Sequence, residues 1–97
     1  MRFEIIFAPE AAENFRSLDA HVRGEVRDAI ETHLRYEPTK LSKSRIKRLQ
    51  GLRQPQFRLR IGEIRAFYDV VEDEVHVVAI MTKARAMEWL RERGLRE

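Results

Sequence analysis

The chain of 97 residues has no cysteine. A disulfide framework and a thiolate zinc site are therefore excluded, and a reducing compartment is the natural setting. Histidine is almost as scarce. His21, His33 and His76 are scattered, so neither a metal nor a cofactor is expected. His21 and His33 read as structural or surface residues. With only four glycines, there is no phosphate-cradling G-x-x-x-x-G-K-[ST] loop and no dinucleotide fingerprint. The H-E-x-x-H and G-x-S-x-G motifs are also missing. No apolar run approaches the roughly 18 residues of a membrane-spanning helix, so no membrane partner is expected. The opening "MRFEIIFAPEAAENF" carries three glutamates, which suits neither a signal peptide nor a transit peptide. The expected location is cytoplasmic. No repeat, low-complexity segment or linker interrupts the chain, and its length suits one domain, residues 1–97, with a modest core.

Negative charge is missing from the middle of the chain. Residues 40–66 hold nine basic side chains and a single acid, Glu63. The flanking segments are both net acidic, which disguises the block as an overall charge of +3. A concentrated positive block points to a polyanionic partner, either nucleic acid or an acidic protein. Six of the nine are arginines, whose planar forks suit phosphate and carboxylate better than general solubility requires.

The hydrophobic pattern predicts the elements. Phe3, Ile5 and Phe7 alternate as a short strand. Pro9 suits a first helical turn, and Ala11, Phe15 and Leu18 share one helical face. Asp19 is placed to cap a second helix, whose stripe is Val22, Val26, Ile30 and Leu34 and which ends near Glu37, before Pro38. The tight junction between these helices predicts a helical hairpin. "TKLSKSRIKRLQGL" reads as a polar loop with one helical turn around Ile46–Leu49. Strands are expected over 56–61, 64–71 and 75–81, then a short helix with Ala86, Trp89, Leu90 and Arg93 on one side and Gly94 at its end. The fold class is α+β, in the order β-α-α-β-β-β-α, with an antiparallel sheet and the helical hairpin on one face.

Gly62-Glu63 is a two-residue hairpin signal. It sets Arg60 opposite Arg65, Leu59 opposite Ala66, and Arg58 opposite Phe67. Phe57, Leu59, Ile61, Ile64, Ala66, Tyr68 and Val70 then face the helices, and Arg58, Arg60 and Arg65 share the other, open face. Like charges directly opposite one another are unfavourable. Either a carboxylate such as Glu88 neutralises them, or they await an anion. In the next hairpin, a two-residue loop Glu72-Asp73 pairs Asp69 with His76 on the arginine face. A three-residue loop sends His76 to the core. His76 is accordingly an oriented acid/base or an ordinary strand histidine. Phe57, Phe67 and Tyr68 read as core residues rather than base-stacking ones, because no RNP-type signature accompanies them.

The stretch "LQGL…FRLRIGEIRAFYDV…EVHVVAIMTK" resembles the RelE/ParE superfamily of bacterial type II toxin–antitoxin toxins, over nearly the whole chain. The R-x-R-x-G-x-x-R-x-x-Y pattern from Arg58 to Tyr68 carries the likeness. RelE-type members are ribosome-dependent endoribonucleases that cut mRNA in the A site, whereas ParE-type members share the fold and poison DNA gyrase. The resemblance implies a RelE-like, metal-independent endoribonuclease that inhibits translation, with Arg58, Arg60, Arg65, Lys83 and Arg85 around the scissile phosphate. Lys40, Lys43, Arg45, Lys47, Arg48 and Arg53 are then expected to grip ribosomal RNA. It also implies a cognate antitoxin whose acidic segment wraps the basic face. In the well-studied branch a C-terminal tyrosine completes the site, and "KARAMEWL" offers Trp89 or Leu90 instead. The base is then Lys83, His76 or a group of the ribosome. A non-enzymatic gyrase inhibitor and a catalytically degenerate antitoxin-binding member are the alternatives.

Overall fold

A computed structural model describes residues 1–51 and 53–94. Strand β1 (Glu4–Phe7) leads into α1 (Pro9–Ser17) and α2 (Ala20–Leu34). Then come β2 (Ile46–Arg48), β3 (Phe57–Ile61), β4 (Ile64–Val71), β5 (Glu74–Thr82) and α3 (Lys83–Glu92). The five strands form one sheet in the order β1-β5-β4-β3-β2. No helix among the described residues is long and apolar enough to cross a membrane.

The helical hairpin forms where the sequence places it. The Asp19 carboxylate accepts a hydrogen bond from Val22 N at 2.9 Å and caps α2. Val26, Ile30 and Leu34 then bury against Leu59, Ala66 and Tyr68 of the sheet. α2 ends at Leu34 rather than near Glu37, because the chain is tied elsewhere. Phe3 N donates to Arg35 O at 2.7 Å, and the Arg35 guanidinium returns a bond to Phe3 O at 3.0 Å. These bonds fasten the end of α2 to the start of β1.

Three features correct the expected architecture. The sheet is mixed, because β1 lies parallel to β5 while every other pair is antiparallel. Residues 46–48 form an edge strand, where a helical turn was expected. Ile46 is buried in the core opposite Leu59, and this one apolar anchor gives the strand its phase. Finally, the arginine face is not open. α3 packs on it, and Phe67, Ala79, Ala86, Trp89 and Leu90 form a second, smaller core there. The Phe67 and Trp89 rings stack at 4.9 Å between centroids, and the Arg93 guanidinium lies 4.2 Å above the indole.

The first hairpin keeps the predicted register, and the second takes the two-residue alternative. Arg60 opposes Arg65, and Arg58 opposes Phe67. Gly62 supplies the left-handed turn residue, at φ 57°. The two-residue loop pairs Asp69 with His76, which puts His76 on the arginine face. A bulge between Phe67 and Tyr68 shifts the β4–β5 pairing, so that Phe67 meets Ala79 while Tyr68 meets Val77. Beside it, Ile80 N donates to the Asn14 side-chain oxygen at 3.0 Å, which ties α1 to the irregular stretch.

Candidate functional site

The β3–β4 hairpin lays its cations out in rows that run across the sheet. At the tip, Arg65 faces Arg60, and Arg60 N donates to Arg45 O at 2.8 Å across the next strand gap. The row is therefore Arg45, Arg60, Arg65. One step down the hairpin, Lys47 opposes Arg58, which in turn opposes Phe67. β2 thus adds Lys47 to a face that the sequence assigned to the hairpin alone, and Arg45, in the bend just before β2, borders the hollow at the hairpin tip.

The three hairpin arginines occupy different environments. Arg65 is only 6% exposed. Its guanidinium folds back on the turn, donating to Gly62 O at 2.7 Å and Ile64 O at 3.0 Å. Arg58 is half-buried, and its Nε is buried without a hydrogen-bond partner. Arg60 is exposed. None of the three forms an ion pair among the described residues, and Glu88 turns instead to Arg85 at 3.8 Å. Burial first, then Arg65 and Arg60, pull the Arg58 guanidinium below its ordinary pKa. Burial and Arg60 act likewise on Arg65, with Glu63 opposing them. Arginine starts so high that both remain cations.

α3 brings in the next cation. Lys83 N donates to Glu63 O at 2.8 Å, which pins the start of the helix to the hairpin turn. The Thr82 hydroxyl caps it, accepting from Arg85 N at 3.3 Å. Arg58, Arg65 and Lys83 consequently line one cleft, with Phe67, Ala86, Met87 and Leu90 as its apolar wall. A second hollow, at the hairpin tip, is bordered by Ser44, Arg45, Arg60 and Gly62.

The remaining candidates are dispersed. Arg85 is exposed on α3 and lies outside the cleft. Arg48 points to the helical side, where its guanidinium lies 5.0 Å over the Phe57 ring. Lys40 pairs with Glu37 at 3.6 Å, and both border a polar pocket with His33 and Arg45 at the end of α2. Burial, with Arg45 nearby, depresses the His33 pKa. Lys43 and Arg53 are exposed in the loops on either side of β2. His76 bonds Glu74 at 2.8 Å, a full row beyond Arg58, as a strand histidine with its own partner.

The last motif residue, Tyr68, and its neighbour Asp69 turn out to hold the frame. The Tyr68 hydroxyl is buried and donates to Pro38 O at 2.6 Å, which ties β4 to the segment after α2. Asp69, 5% exposed, accepts from Gln56 N at 2.7 Å, while Gln56 Oε1 accepts from Val70 N at 2.8 Å. This reciprocal clamp fixes the chain as it enters β3. Sequence reasoning missed Ser44 and the alignment of Arg45 with Arg60. The available signal was Ile46, a lone apolar residue between basic neighbours at strand spacing.

Comparison with known proteins identifies the family and the fold. The family model of the ParE toxin of the type II toxin–antitoxin system ParDE matches residues 5–87. No curated protein sequence matches the chain. Among solved structures, a chain of the RelB–RelE antitoxin–toxin complex of Methanococcus jannaschii superposes with a TM-score of 0.67 at 18% identity, covering 87% of this chain and 96% of that one. The RelBE2 toxin–antitoxin complex of Mycobacterium tuberculosis gives 0.66 at 19% identity, with 84% and 99% covered. The archaeal RelE–RelB complex of Pyrococcus horikoshii gives 0.64 at 22%, with 88% and 99% covered. At these identities the structural likeness establishes the fold. With the family match spanning most of its length, the chain belongs to the ParE toxin family of type II toxin–antitoxin systems, within the RelE/ParE superfamily.

Proposed function

We propose that this toxin is a ribosome-dependent mRNA endoribonuclease, acting in the cytoplasm and neutralised by a cognate antitoxin whose acidic segment covers the basic face. One observation carries the reading: Arg58, Arg65 and Lys83 converge on one cleft, and Arg58 holds a buried, unpartnered Nε there. In such a reaction the 2′-hydroxyl attacks the adjacent phosphate, a P–O bond forms, and the bond to the 5′-oxygen breaks. Negative charge builds on the phosphoryl oxygens, and guanidiniums on a rigid sheet stabilise it without having to reorganise. Arg65 is held by two carbonyls before substrate arrives, so its charge is fixed in advance. Arg60 at the tip adds a second, exposed guanidinium on the same face. Arg85 and the outer basic residues Lys40, Lys43, Arg45, Lys47, Arg48 and Arg53 supply the wider attraction for ribosomal RNA.

The residues that line the cleft include no histidine, tyrosine or carboxylate, and an arginine side chain stays charged. The base is therefore Lys83 or a group of the ribosome. Antitoxin binding is supported by the acid-poor segment 40–66 and by structural neighbours solved as toxin–antitoxin complexes.

A second reading, inhibition of DNA gyrase without catalysis, draws on the same cleft. Neither tyrosine, histidine nor a carboxylate lines it, and the matching family model is described as ParE. Purified protein added to a translation reaction, with cut sites mapped by primer extension, separates the two. Codon-positioned cuts that Arg65→Ala abolishes support the nuclease. Intact mRNA together with inhibited supercoiling in a parallel gyrase assay replaces it with the second reading.

A further inference from the structure

The cleft under α3 and the hollow at the hairpin tip are two separate cationic sites on one face. Arg58 belongs to the first and Arg60 to the second. The two residues are two positions apart on β3, so their side chains leave the same face about 6–7 Å from each other. That is the scale on which successive phosphates follow one another along an extended polynucleotide strand. Arg65 lines the first site, stands opposite Arg60 in the hairpin register, and is bonded to Gly62 O.

The tip hollow has the composition of a phosphate seat. Arg45 and Arg60 are exposed, are joined through their backbones, and form no ion pair among the described residues. Ser44 brings a hydroxyl to its border, and at Gly62 an added Cβ would meet nothing within 4 Å, so the approach over the turn is open. Two guanidiniums and a hydroxyl around an open glycine offer donors and no apolar wall. A phosphate, with several acceptor oxygens on one centre, can take donors from both guanidiniums at once.

We propose that Ser44, Arg45 and Arg60 form a second phosphate subsite, so that the face holds two successive phosphates of one RNA strand, one at Arg58 and Lys83 and the next at the hairpin tip. This rests on the RNA reading above. It gives Arg45 a role in seating substrate, beyond general attraction to ribosomal RNA, and it sets the direction in which the strand crosses the hairpin.

The test uses 2′-O-methyl RNA, which lacks the attacking hydroxyl, so that binding is read without cleavage. A dinucleotide with one internucleotide phosphate and a trinucleotide with two, both without terminal phosphates, are titrated into the full chain at several salt concentrations. For wild type, the slope of log K against log[salt] is expected to steepen by about 0.7 from dinucleotide to trinucleotide, the increment for one more single-strand phosphate. Arg45→Gln should remove most of that increment and weaken the trinucleotide by about tenfold, much more than the dinucleotide, and Ser44→Ala, which removes no charge, should weaken the trinucleotide while leaving the slope unchanged. Both positions are exposed, and unchanged circular dichroism confirms folding. If the trinucleotide gains nothing over the dinucleotide in wild type, or if Arg45→Gln weakens both equally, the second subsite is overturned while RNA binding stands. If neither oligonucleotide binds, the RNA reading falls and the subsite with it. If a glutamate-rich peptide binds in an Arg45-dependent way and the trinucleotide does not, the tip is a seat for an acidic protein and the proposal is likewise overturned.

Discussion

Arg60 and Arg65 face each other across the β3–β4 hairpin, yet one is exposed and the other is 6% exposed and bonded to two carbonyls of its own turn. The pair is asymmetric by construction. Removing the exposed member relieves a like-charge contact. Removing the buried one empties a packed position and loses two charge-assisted hydrogen bonds. Arg60→Ala is expected to raise stability by a few tenths of a kcal/mol, up to about 1 kcal/mol. Arg65→Ala should lower it by about 1–3 kcal/mol. Urea midpoints at low salt measure both. A loss from Arg60→Ala as large as that from Arg65→Ala contradicts the asymmetry.

Tyr68 ends the arginine motif but serves the frame. Its hydroxyl is buried against Pro38 O, and burial raises its pKa well above that of a free tyrosine. A raised folded pKa gives stability that is complete below the unfolded value near 10 and lost as pH climbs from there toward the folded value. Tyr68→Phe should cost about 1–3 kcal/mol at pH 7, because the Pro38 carbonyl is left unbonded, and it should flatten this alkaline loss. Denaturant melts between pH 8 and 11 supply the comparison.

His33 makes the opposite prediction. Burial first, then Arg45, depresses its pKa. Its contribution is therefore complete above the unfolded value near 6.5 and disappears as pH falls through the lowered folded value. Arg45→Gln should move the His33 titration upward in an NMR experiment, and His33→Gln should reduce the loss of stability on acidification below pH 6.5. A His33 titration that stays put in the Arg45 variant removes Arg45 as a cause.

Trp89 is the only tryptophan in the chain and stacks on Phe67. Trp89→Ala should cost about 3–5 kcal/mol, since it opens a cavity in the smaller core that docks α3. Because Lys83 begins that helix, nuclease or binding readouts should fall along with stability. Trp89→Phe, which keeps a stacking ring, should recover most of both. Chemical denaturation followed by circular dichroism checks the first claim.

Much of this architecture was legible in the sequence where a local signal set the phase. Gly62-Glu63 gave the hairpin register, and with it the cross-strand pair Arg60–Arg65. Asp19 marked the start of α2, and Pro38 signalled that it could not run far. The rest depended on long-range pairing that leaves little local trace. β2 is three residues long with a single buried side chain, so its period could not be told from a loop. The parallel pairing of β1 with β5 joins segments some seventy residues apart in the chain. The cover over the arginine face was announced only by Phe67, Ala79 and Met81, apolar residues on a face read as cationic. The cleft itself needed the backbone bond from Lys83 to Glu63, which no side-chain pattern encodes.

The short edge strand has one more consequence. An unpaired strand edge invites another chain to add to the sheet, and brief length and exposed positive charge discourage it. β2 has both, three residues with Lys47 and Arg48 exposed, and Ser42 already bonds the outward N–H and carbonyl of Ile46. Two copies meeting at this edge bring like charges together, so the residues that draw a polyanion also keep the protein from stacking on itself. High salt weakens both effects at once, so solubility and ligand capture should decline together as ionic strength rises.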